Sequence, residues 1–167
     1  MVFVTVGNAT QLFERLVFAV EEAAGAGLFG EENVLIQAGS NIEMATPHCR
    51  KVRVMAPIEF QSAIERASVV ISHCGAGTLF HAIRAGHCPI VMPRLPRFRE
   101  GLEDQTDLLL ALEREGRVIG IHGARSLADA VREVRQRGKR EVREAVTRPI
   151  VRMVGEAIAE ILAGKYR

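Results

Sequence analysis

The fold of this chain is decided by residues 69–82, which read VVISHCGAGTLFHA. The first three residues are β-branched and apolar, and the run is too short for an independent helix, so it predicts a strand. From Leu79 onward, apolar residues recur at helical spacing until Gly86 ends the pattern. The stretch therefore predicts a strand, a tight loop containing Gly75 and Gly77, and a helix.

This loop is expected at the edge of the sheet where α/β proteins bind ligands. The carboxyl ends of parallel strands border the ligand crevice, and unpaired N–H groups at the next helix N-terminus favour an anion. Glycines at positions 75 and 77 would let a phosphate approach the backbone, but the same glycines serve equally to turn the chain. The spacing alone leaves phosphate binding and a purely structural turn open.

The alternation of strand and helix continues along the whole chain. Apolar runs predict strands at residues 2–6, 33–38, 52–55, 69–71, 89–93 and 117–121. Helical spacing predicts helices at residues 12–24, 57–67, 79–85 and 102–115, and two more that begin at Ser126 and at Pro149. Thr10 is the predicted N-cap of the first helix. This order predicts an α/β fold, a Rossmann-like, mostly parallel sheet of about six strands with helices on both faces. We expect one domain spanning residues 1–167.

A second strand-to-helix turn contains Gly7, which follows the predicted first strand. Because parallel strands end at a common edge, Gly7 is a candidate to face the same cleft as Gly75. A turn glycine with no further role is the alternative.

The composition is that of an ordinary soluble globular protein, with 48% apolar and 25% charged residues. Aromatic residues make up only 5% and the net charge is +2, so neither a stacking platform nor a basic surface for nucleic acid is indicated. The sequence opens on VFVTV without a recognisable secretory signal and contains no apolar run of about 18 residues. We expect a cytoplasmic protein without a nucleic-acid partner.

Cysteine and histidine occur together twice, as His73-Cys74 and His87-Cys88. Neighbouring residues on an extended backbone point in opposite directions, so each pair supplies one ligand at most. The three cysteines, at positions 49, 74 and 88, form no C-x-x-C motif. Reduced thiols and no metal site are expected.

Two basic segments are candidate contact surfaces. Arg94, Arg97 and Arg99 fall in a punctuated loop after a predicted strand, where they could hold a diphosphate or an anionic partner, or be solvated. Residues 125–152 carry nine Lys or Arg against four Asp or Glu. That second segment is either a solvated helix face or a surface for anionic lipid or an acidic partner.

The glycine loop is part of a longer pattern. His73-x-Gly75-x-Gly77-Thr78 is followed by Gly86-x-x-Pro89-Ile90-Val91-x-Pro93 and then by Asp104-Gln105. This pattern resembles the C-terminal, donor-binding domain of glycosyltransferase family 28, which is half of a GT-B architecture. The opening Phe3-Val4-Thr5-Val6-Gly7 is similar to single-domain members, namely the soluble subunit of the eukaryotic dolichol-linked N-acetylglucosaminyltransferase and small subunits of bacterial exopolysaccharide glycosyltransferases. The resemblance covers about residues 2–121.

The resemblance implies a hexosyltransferase-type enzyme that moves a sugar from a UDP-sugar, such as UDP-GlcNAc or UDP-glucose, to a lipid-linked acceptor in polysaccharide or glycan biosynthesis. No cofactor or metal is implied. His73 is the candidate catalytic residue, with packing beneath the loop as its alternative role. The implied donor-binding residues are Gly7, Asn8, Gly75, Ala76, Gly77, Thr78, His81, Asp104 and Gln105.

Two residues depart from the family pattern. The family usually carries Glu at position 81 and His at position 104, where this chain has His81 and Asp104. A neutral histidine accepts one hydrogen bond, whereas a carboxylate can hold two ribose hydroxyls. One interpretation is that Asp104 binds the ribose hydroxyls in place of residue 81. The alternative function is a non-catalytic nucleotide-sugar-binding or regulatory module on the same fold.

The resemblance also implies a partner, because GT-B enzymes bind the acceptor on a second domain. A membrane-associated, acceptor-binding subunit would hold this chain at the cytoplasmic face of the membrane. Arg94, Arg97 and Arg99 are the expected contacts to that partner, and the basic stretch after Arg125 is the expected contact to lipid. Assembly as a homo-oligomer stays open.

Overall fold

Six parallel strands form one sheet in the computed structural model, which describes residues 1–122 and 125–139. The strands are β1 (Val2–Thr5), β2 (Val34–Gln37), β3 (Arg50–Val52), β4 (Val69–His73), β5 (Ile90–Met92) and β6 (Ile119–Gly120). The helices are α1 (Glu14–Gly25), α2 (Pro57–Arg66), α3 (Ala76–Arg84), α4 (Thr106–Arg114) and α5 (Leu127–Arg137), with 3-10 turns at Gly39–Asn41 and Pro96–Phe98. The predicted parallel α/β sheet is confirmed.

Helices cover both faces of the sheet because successive strand residues point to opposite sides. Val2 and Val4 of β1 pack in one cluster with residues of α1 and α5, whereas Phe3 packs on the other face with α2 and α3. A third cluster places α4 against Val91 of β5 on that second face. Both faces are therefore buried, as a parallel sheet requires.

The strand order β3-β2-β1-β4-β5-β6 places β1 and β4 side by side at the centre of the sheet. They pair in register from Val2 opposite Val69 to Thr5 opposite Ser72. After β1 the chain runs to one side of the sheet, and after β4 it runs to the other. The loops that follow β1 and β4 therefore diverge and leave a crevice at the carboxyl edge, the ligand position of doubly wound sheets.

The predicted start of the first helix and the predicted bounds of the third strand are wrong. Helix α1 begins at Glu14 rather than after a Thr10 cap, because Phe13 donates its N–H to Asn41 Oδ1 over 2.7 Å. The third strand is Arg50–Val52 rather than 52–55, because the ladder to β2 pairs Leu35 with Arg50. A short edge strand has few apolar residues, whereas Val54 and Met55 just after it are apolar. The apolar pattern therefore placed the strand too late in the sequence.

The helix predicted from residue 102 begins later, at Thr106. Gln105 is the N-cap residue, and the preceding Asp104 accepts the Thr106 N–H at its Oδ1 over 2.8 Å. The last strand is also shorter, covering only Ile119–Gly120. Ser126 does cap α5, since its Oγ accepts the Asp129 N–H over 3.1 Å. The helix predicted from Pro149 lies outside the described residues.

Across residues 1–122 and 125–139, no helix combines the length and the apolar character needed to cross a membrane.

Candidate functional site

A cleft of about 690 Å³ opens at the carboxyl edge of the sheet, between the loops that follow β1 and β4. The N-termini of α2 and α3 border it. The predicted site residues that line this cleft are Gly7, Asn8, His73, Gly75, Ala76, Gly77, Thr78 and His81. The structure thus brings both glycine loops together at the crevice that the strand order creates.

Helix α3 presents an uncapped N-terminus to the cleft. Its N-cap residue is Gly75, no side chain caps it in the described part of the chain, and its first turn carries no acidic residue. The first backbone bond of the helix joins the Leu79 N–H to the Gly75 carbonyl at 3.0 Å. The N–H groups of Ala76, Gly77 and Thr78 therefore precede the helical ladder and, with the helix dipole, favour an anion.

The two glycines of this loop have different surroundings. A Cβ on Gly77 would meet no atom within 4 Å, so position 77 opens directly into the cleft. A Cβ on Gly75 would lie 2.1 Å from His73 Nε2. The expectation that both glycines leave room for a phosphate therefore fits Gly77, whereas Gly75 leaves room for the His73 ring.

Gly7 contacts the same ring from the opposite loop. It adopts a φ of +76°, and a Cβ there would lie 2.5 Å from His73 Cε1. The imidazole of His73 therefore fills the space between the two glycine turns and fixes their separation.

His73 is neutral at physiological pH. Burial, together with the positive charge of Arg94, lowers the pKa of His73 to about 4, against a smaller opposing effect of the Thr5 backbone. A neutral imidazole can donate or accept a hydrogen bond but supplies no positive charge to a diphosphate. Among the roles predicted for His73, positioning of the loops and hydrogen bonding are the two that this environment favours.

The buried histidine makes stability depend on pH. The folded-state pKa of His73 is about 4 against an ordinary 6.5, so the unfolded chain binds the proton first as the pH falls. Stability should reach its plateau above pH 6.5 and drop below it, by about 2 kcal/mol at pH 5 from this group. Urea unfolding of the wild type and His73→Gln at pH 7 and pH 5 measures the difference. Equal pH dependence in both proteins would contradict this assignment.

Arg94 is buried, and the prediction that it contacts a partner is wrong. Its side chain is only 3% exposed. The guanidinium donates to the carbonyls of Val6, at 2.7 Å, Gln11, at 3.2 Å, and Glu100. Arg94 therefore connects the loop after β1 with the loop after β5 beneath the site. Because Arg94 shares its loop with two exposed arginines, the sequence did not indicate that it is buried.

A second polar network missed by sequence reasoning supports the cleft. Gln37 lies 4% exposed at the end of β2, donates to Thr5 Oγ1 over 3.2 Å and accepts the Met55 N–H over 3.0 Å. Thr5 Oγ1 also accepts the Gly7 N–H over 3.2 Å. A polar residue closing an apolar strand is the signal that would have found both Thr5 and Gln37.

Asp104 and Gln105 do not line the cleft that His81 lines. Gln105 Oε1 accepts the Arg94 N–H over 3.1 Å, so its side chain braces the loop after β5. Asp104 is exposed and accepts the Thr106 N–H at the start of α4. The structure therefore does not bring His81 and Asp104 to a common ligand position, as an exchange of ribose contacts would need.

The outer wall of the cleft is apolar. Val54 and Ile58 are 61% and 76% exposed, and the His81 ring lies edge-on to Phe60 at 6.4 Å between centroids. No Asp or Glu lines the cleft among the described residues. The cleft combines an anion-binding helix end with an apolar wall, the pattern of a pocket for a phosphorylated organic ligand.

In the basic stretch after Arg125, the described arginines are paired with carboxylates, whereas Lys139 donates to the Glu65 carbonyl. The ion pairs are Arg125 with Glu113 and Glu133, Arg132 with Asp129, Arg135 with Glu32 and Arg137 with Glu133. Paired guanidiniums attract anionic lipid less than free ones do. The remainder of this stretch, from residue 140, lies outside the described residues.

The sequence matches the glycosyltransferase family 28 C-terminal domain over residues 1–148. The chain belongs to this family. The family 28 C-terminal domain is of the nucleotide-sugar donor-binding kind. A comparison with curated proteins found no match.

Solved glycosyltransferases share this fold. The glycosyltransferase SnogD from Streptomyces nogalater is 19% identical with a TM-score of 0.61, over 95% of this chain and 42% of that protein. CalG4, the calicheamicin glycosyltransferase, is 19% identical with a TM-score of 0.54, over 97% and 41%. The glycotransferase of kitacinnamycin is 17% identical with a TM-score of 0.57, over 82% and 34%. The family 28 domain thus has the Rossmann-like fold of GT-B enzymes and spans less than half the length of these proteins.

Proposed function

We propose that this family 28 domain is the donor-binding subunit of a glycosyltransferase that uses a UDP-sugar and works with a separate, membrane-associated acceptor subunit. The observation that carries the proposal is the uncapped N-terminus of α3, which faces an open cleft at Gly77. Backbone N–H groups in this arrangement suit the diphosphate of a nucleotide sugar.

The chemistry of this site is stabilisation of the leaving group. As the bond between the sugar C1 and the diphosphate oxygen breaks, negative charge grows on the diphosphate. Preorganised N–H groups of Ala76, Gly77 and Thr78, aligned with the α3 dipole, lower the energy of that charge. The neutral His73 holds the two glycine turns in place and offers a hydrogen bond to the diphosphate or the sugar.

The acceptor hydroxyl must lose its proton to a base within hydrogen-bond reach. No carboxylate lines the cleft in the part of the chain that the structure describes, and His73 is a weak base with a pKa of about 4. These features support a base on another subunit. We infer that this subunit binds a lipid-linked acceptor and holds the complex at the cytoplasmic face of a membrane.

The donor is a UDP-hexose of the UDP-GlcNAc or UDP-glucose kind, and the product is a lipid-linked precursor of a polysaccharide or glycan. The test uses membranes from the source organism after deletion of this chain, supplied with radiolabelled UDP-GlcNAc or UDP-glucose. Label should enter the organic-solvent extract only when the purified chain is added back.

Two outcomes would contradict this proposal. Full-rate transfer to a soluble acceptor by the purified chain alone would place the acceptor site within these 167 residues. UDP binding without any effect of the chain on labelling would instead favour a non-catalytic nucleotide-sugar-binding module, the alternative that His81 in place of a carboxylate supports.

A further inference from the structure

A second concave surface lies at the carboxyl edge of the sheet, between the start of α1 and the 3-10 turn after β5. This outer groove has a volume of about 410 Å³ and is lined by Leu12, Glu14, Arg15, Phe98, Arg99 and Glu100. None of these residues lines the donor cleft, which is the cleft at the N-terminus of α3. Substitutions in the outer groove can therefore be separated from effects on nucleotide binding.

The floor of the outer groove is rigid. Arg15 forms a two-point contact with Glu100, at 2.7 Å from Nε and 2.7 Å from Nη2, and Nη2 also donates to the Pro93 carbonyl at 2.9 Å. The Phe98 ring centroid lies 4.7 Å from the Arg15 guanidinium. Glu100 is only 3% exposed. A surface that is ordered before binding loses little entropy when a partner docks.

Two large apolar side chains that line the groove are exposed, Leu12 at 45% and Phe98 at 51%. Leu102, two residues after Glu100 in the chain, is 90% exposed. Phe98 is one of three half-exposed phenylalanines among the described residues, with Phe18 at 55% and Phe80 at 58%, and it is the one that lines the outer groove. Exposed aromatic and aliphatic anchors beside a pocket are typical of protein interfaces.

Arg99 provides a separate observation. It is the only non-glycine residue with a positive φ, 57°, in the described part of the chain, and its N–H donates to the Pro96 carbonyl at 2.8 Å. A glycine would adopt this conformation without strain, so the retained arginine points to a use for the side chain. Arg97 and Arg99 are both exposed, and neither forms an ion pair within residues 1–122 and 125–139.

We propose that the outer groove docks the acceptor-binding subunit, with an apolar side chain of that subunit against Phe98 and carboxylates opposite Arg97 and Arg99. This proposal rests on the proposed function, which requires such a subunit. The groove lies on the edge of the sheet that carries the donor cleft, where a docked subunit can complete the active site. Two exposed guanidiniums that form no ion pair in the described residues, beside the half-exposed Phe98 ring, favour a partner with acidic groups around an apolar centre.

A protein surface fits this groove better than a membrane does. Glu103, Asp104 and Asp107 are exposed on the same segment of chain as Arg97 and Arg99. A flat anionic membrane would meet these three carboxylates together with the two guanidiniums and be repelled overall. A shaped protein surface can instead pair with the arginines alone.

The experiment places the photo-crosslinking residue p-benzoylphenylalanine at position 102 of the full chain. The labelled chain is irradiated with membranes of its source organism, with vesicles of the lipid extracted from those membranes, and alone. We expect one adduct with a membrane protein, and we expect depletion of that protein from a detergent extract to abolish sugar transfer to the lipid fraction.

Matched variants then test the surface itself. Phe98→Asp and Arg99→Glu should each reduce the adduct and the sugar transfer by about tenfold or more, because central anchors dominate interface energy. Phe18→Asp is the control, since Phe18 is 55% exposed on α1 and does not line the outer groove. The UDP affinity of all three variants should stay within about twofold of the wild type, since they leave the donor cleft intact.

Arg99→Gly separates the backbone from the side chain at this position. Glycine relieves the positive φ, so the variant should unfold at an equal or higher urea concentration. It should nevertheless lose the adduct as Arg99→Glu does. An Arg99→Gly chain that keeps full cross-linking would show that position 99 serves only the turn and would overturn the role of its side chain.

Several results would overturn the docking proposal. These are an adduct with lipid alone, an adduct between two copies of this chain, no adduct at all, or equal losses from Phe18→Asp and Phe98→Asp. Undiminished sugar transfer by Phe98→Asp would reject the outer groove while leaving the proposed function intact. An adduct formed by a chain that does not bind UDP would reject the proposed function while leaving the docking surface intact.

Discussion

Replacing Arg94 with methionine is expected to destabilise the domain by about 3 kcal/mol or more, measured as the free energy of unfolding in urea. Arg94 is 3% exposed and donates to three backbone carbonyls in two separate loops. Methionine fills a similar volume but leaves those buried carbonyls without a donor. It also removes a cation close to the buried Glu100 carboxylate, which keeps its contacts with Arg15 and with the Leu95 N–H.

Arg94→Met should also weaken UDP binding in the proposed donor cleft. Arg94 holds the Val6 carbonyl at 2.7 Å, directly before Gly7 and the His73 ring. The folded fraction of Arg94→Met should therefore bind UDP at least about tenfold more weakly, as a misplaced phosphate loop costs roughly 1.4 kcal/mol or more. Arg97→Met is the matched control, because Arg97 is exposed, and it should change stability by less than about 0.5 kcal/mol. A loss below about 1 kcal/mol in Arg94→Met would contradict this account.

Valine at position 77 should separate binding from stability. A Cβ there meets no atom within 4 Å, so the fold should lose at most about 1 kcal/mol. The added side chain would reduce the space of the cleft that Gly77 lines, where we place the diphosphate. We expect UDP affinity to fall at least about tenfold. Isothermal titration calorimetry and urea unfolding of the same preparation measure both quantities.

Valine at position 75 should instead damage both properties. Its Cβ would lie 2.1 Å from His73 Nε2, so the imidazole must move and the two glycine turns must separate. We expect a loss of about 1–3 kcal/mol in stability, together with the loss of UDP affinity. Equal stability losses in Gly75→Val and Gly77→Val would contradict the different surroundings that the structure gives these glycines.

The sequence was sufficient to predict the sheet and the position of the two glycine loops at one edge of it. Val69 to Ile71, the glycines after them and the helical spacing from Leu79 are local signals, and both loops follow apolar strands. Because the carboxyl ends of parallel strands share an edge, Gly7 and Gly75 could be placed in one cleft without a structure. The Ser126 cap was similarly local and is confirmed.

Other features depended on contacts between distant residues and could not be predicted. Arg94 reaches Val6 across 88 positions of sequence, so its loop context resembled that of the exposed Arg97 and Arg99. The start of α1 is set by Asn41, 28 positions from Phe13. Nor could spacing show that Asp104 bonds to the Thr106 N–H while His81 faces the cleft, because both residues follow strands that end at the same edge.

The most direct test of the donor site is calorimetric titration of UDP, GDP and dTDP into the full chain and into Gly77→Val. The account predicts that UDP binds the wild type with a measurable dissociation constant, more tightly than GDP or dTDP, and that Gly77→Val weakens this binding at least about tenfold while remaining folded. The absence of binding of any of the three nucleotides at millimolar concentration, or unchanged UDP affinity in Gly77→Val, would contradict it.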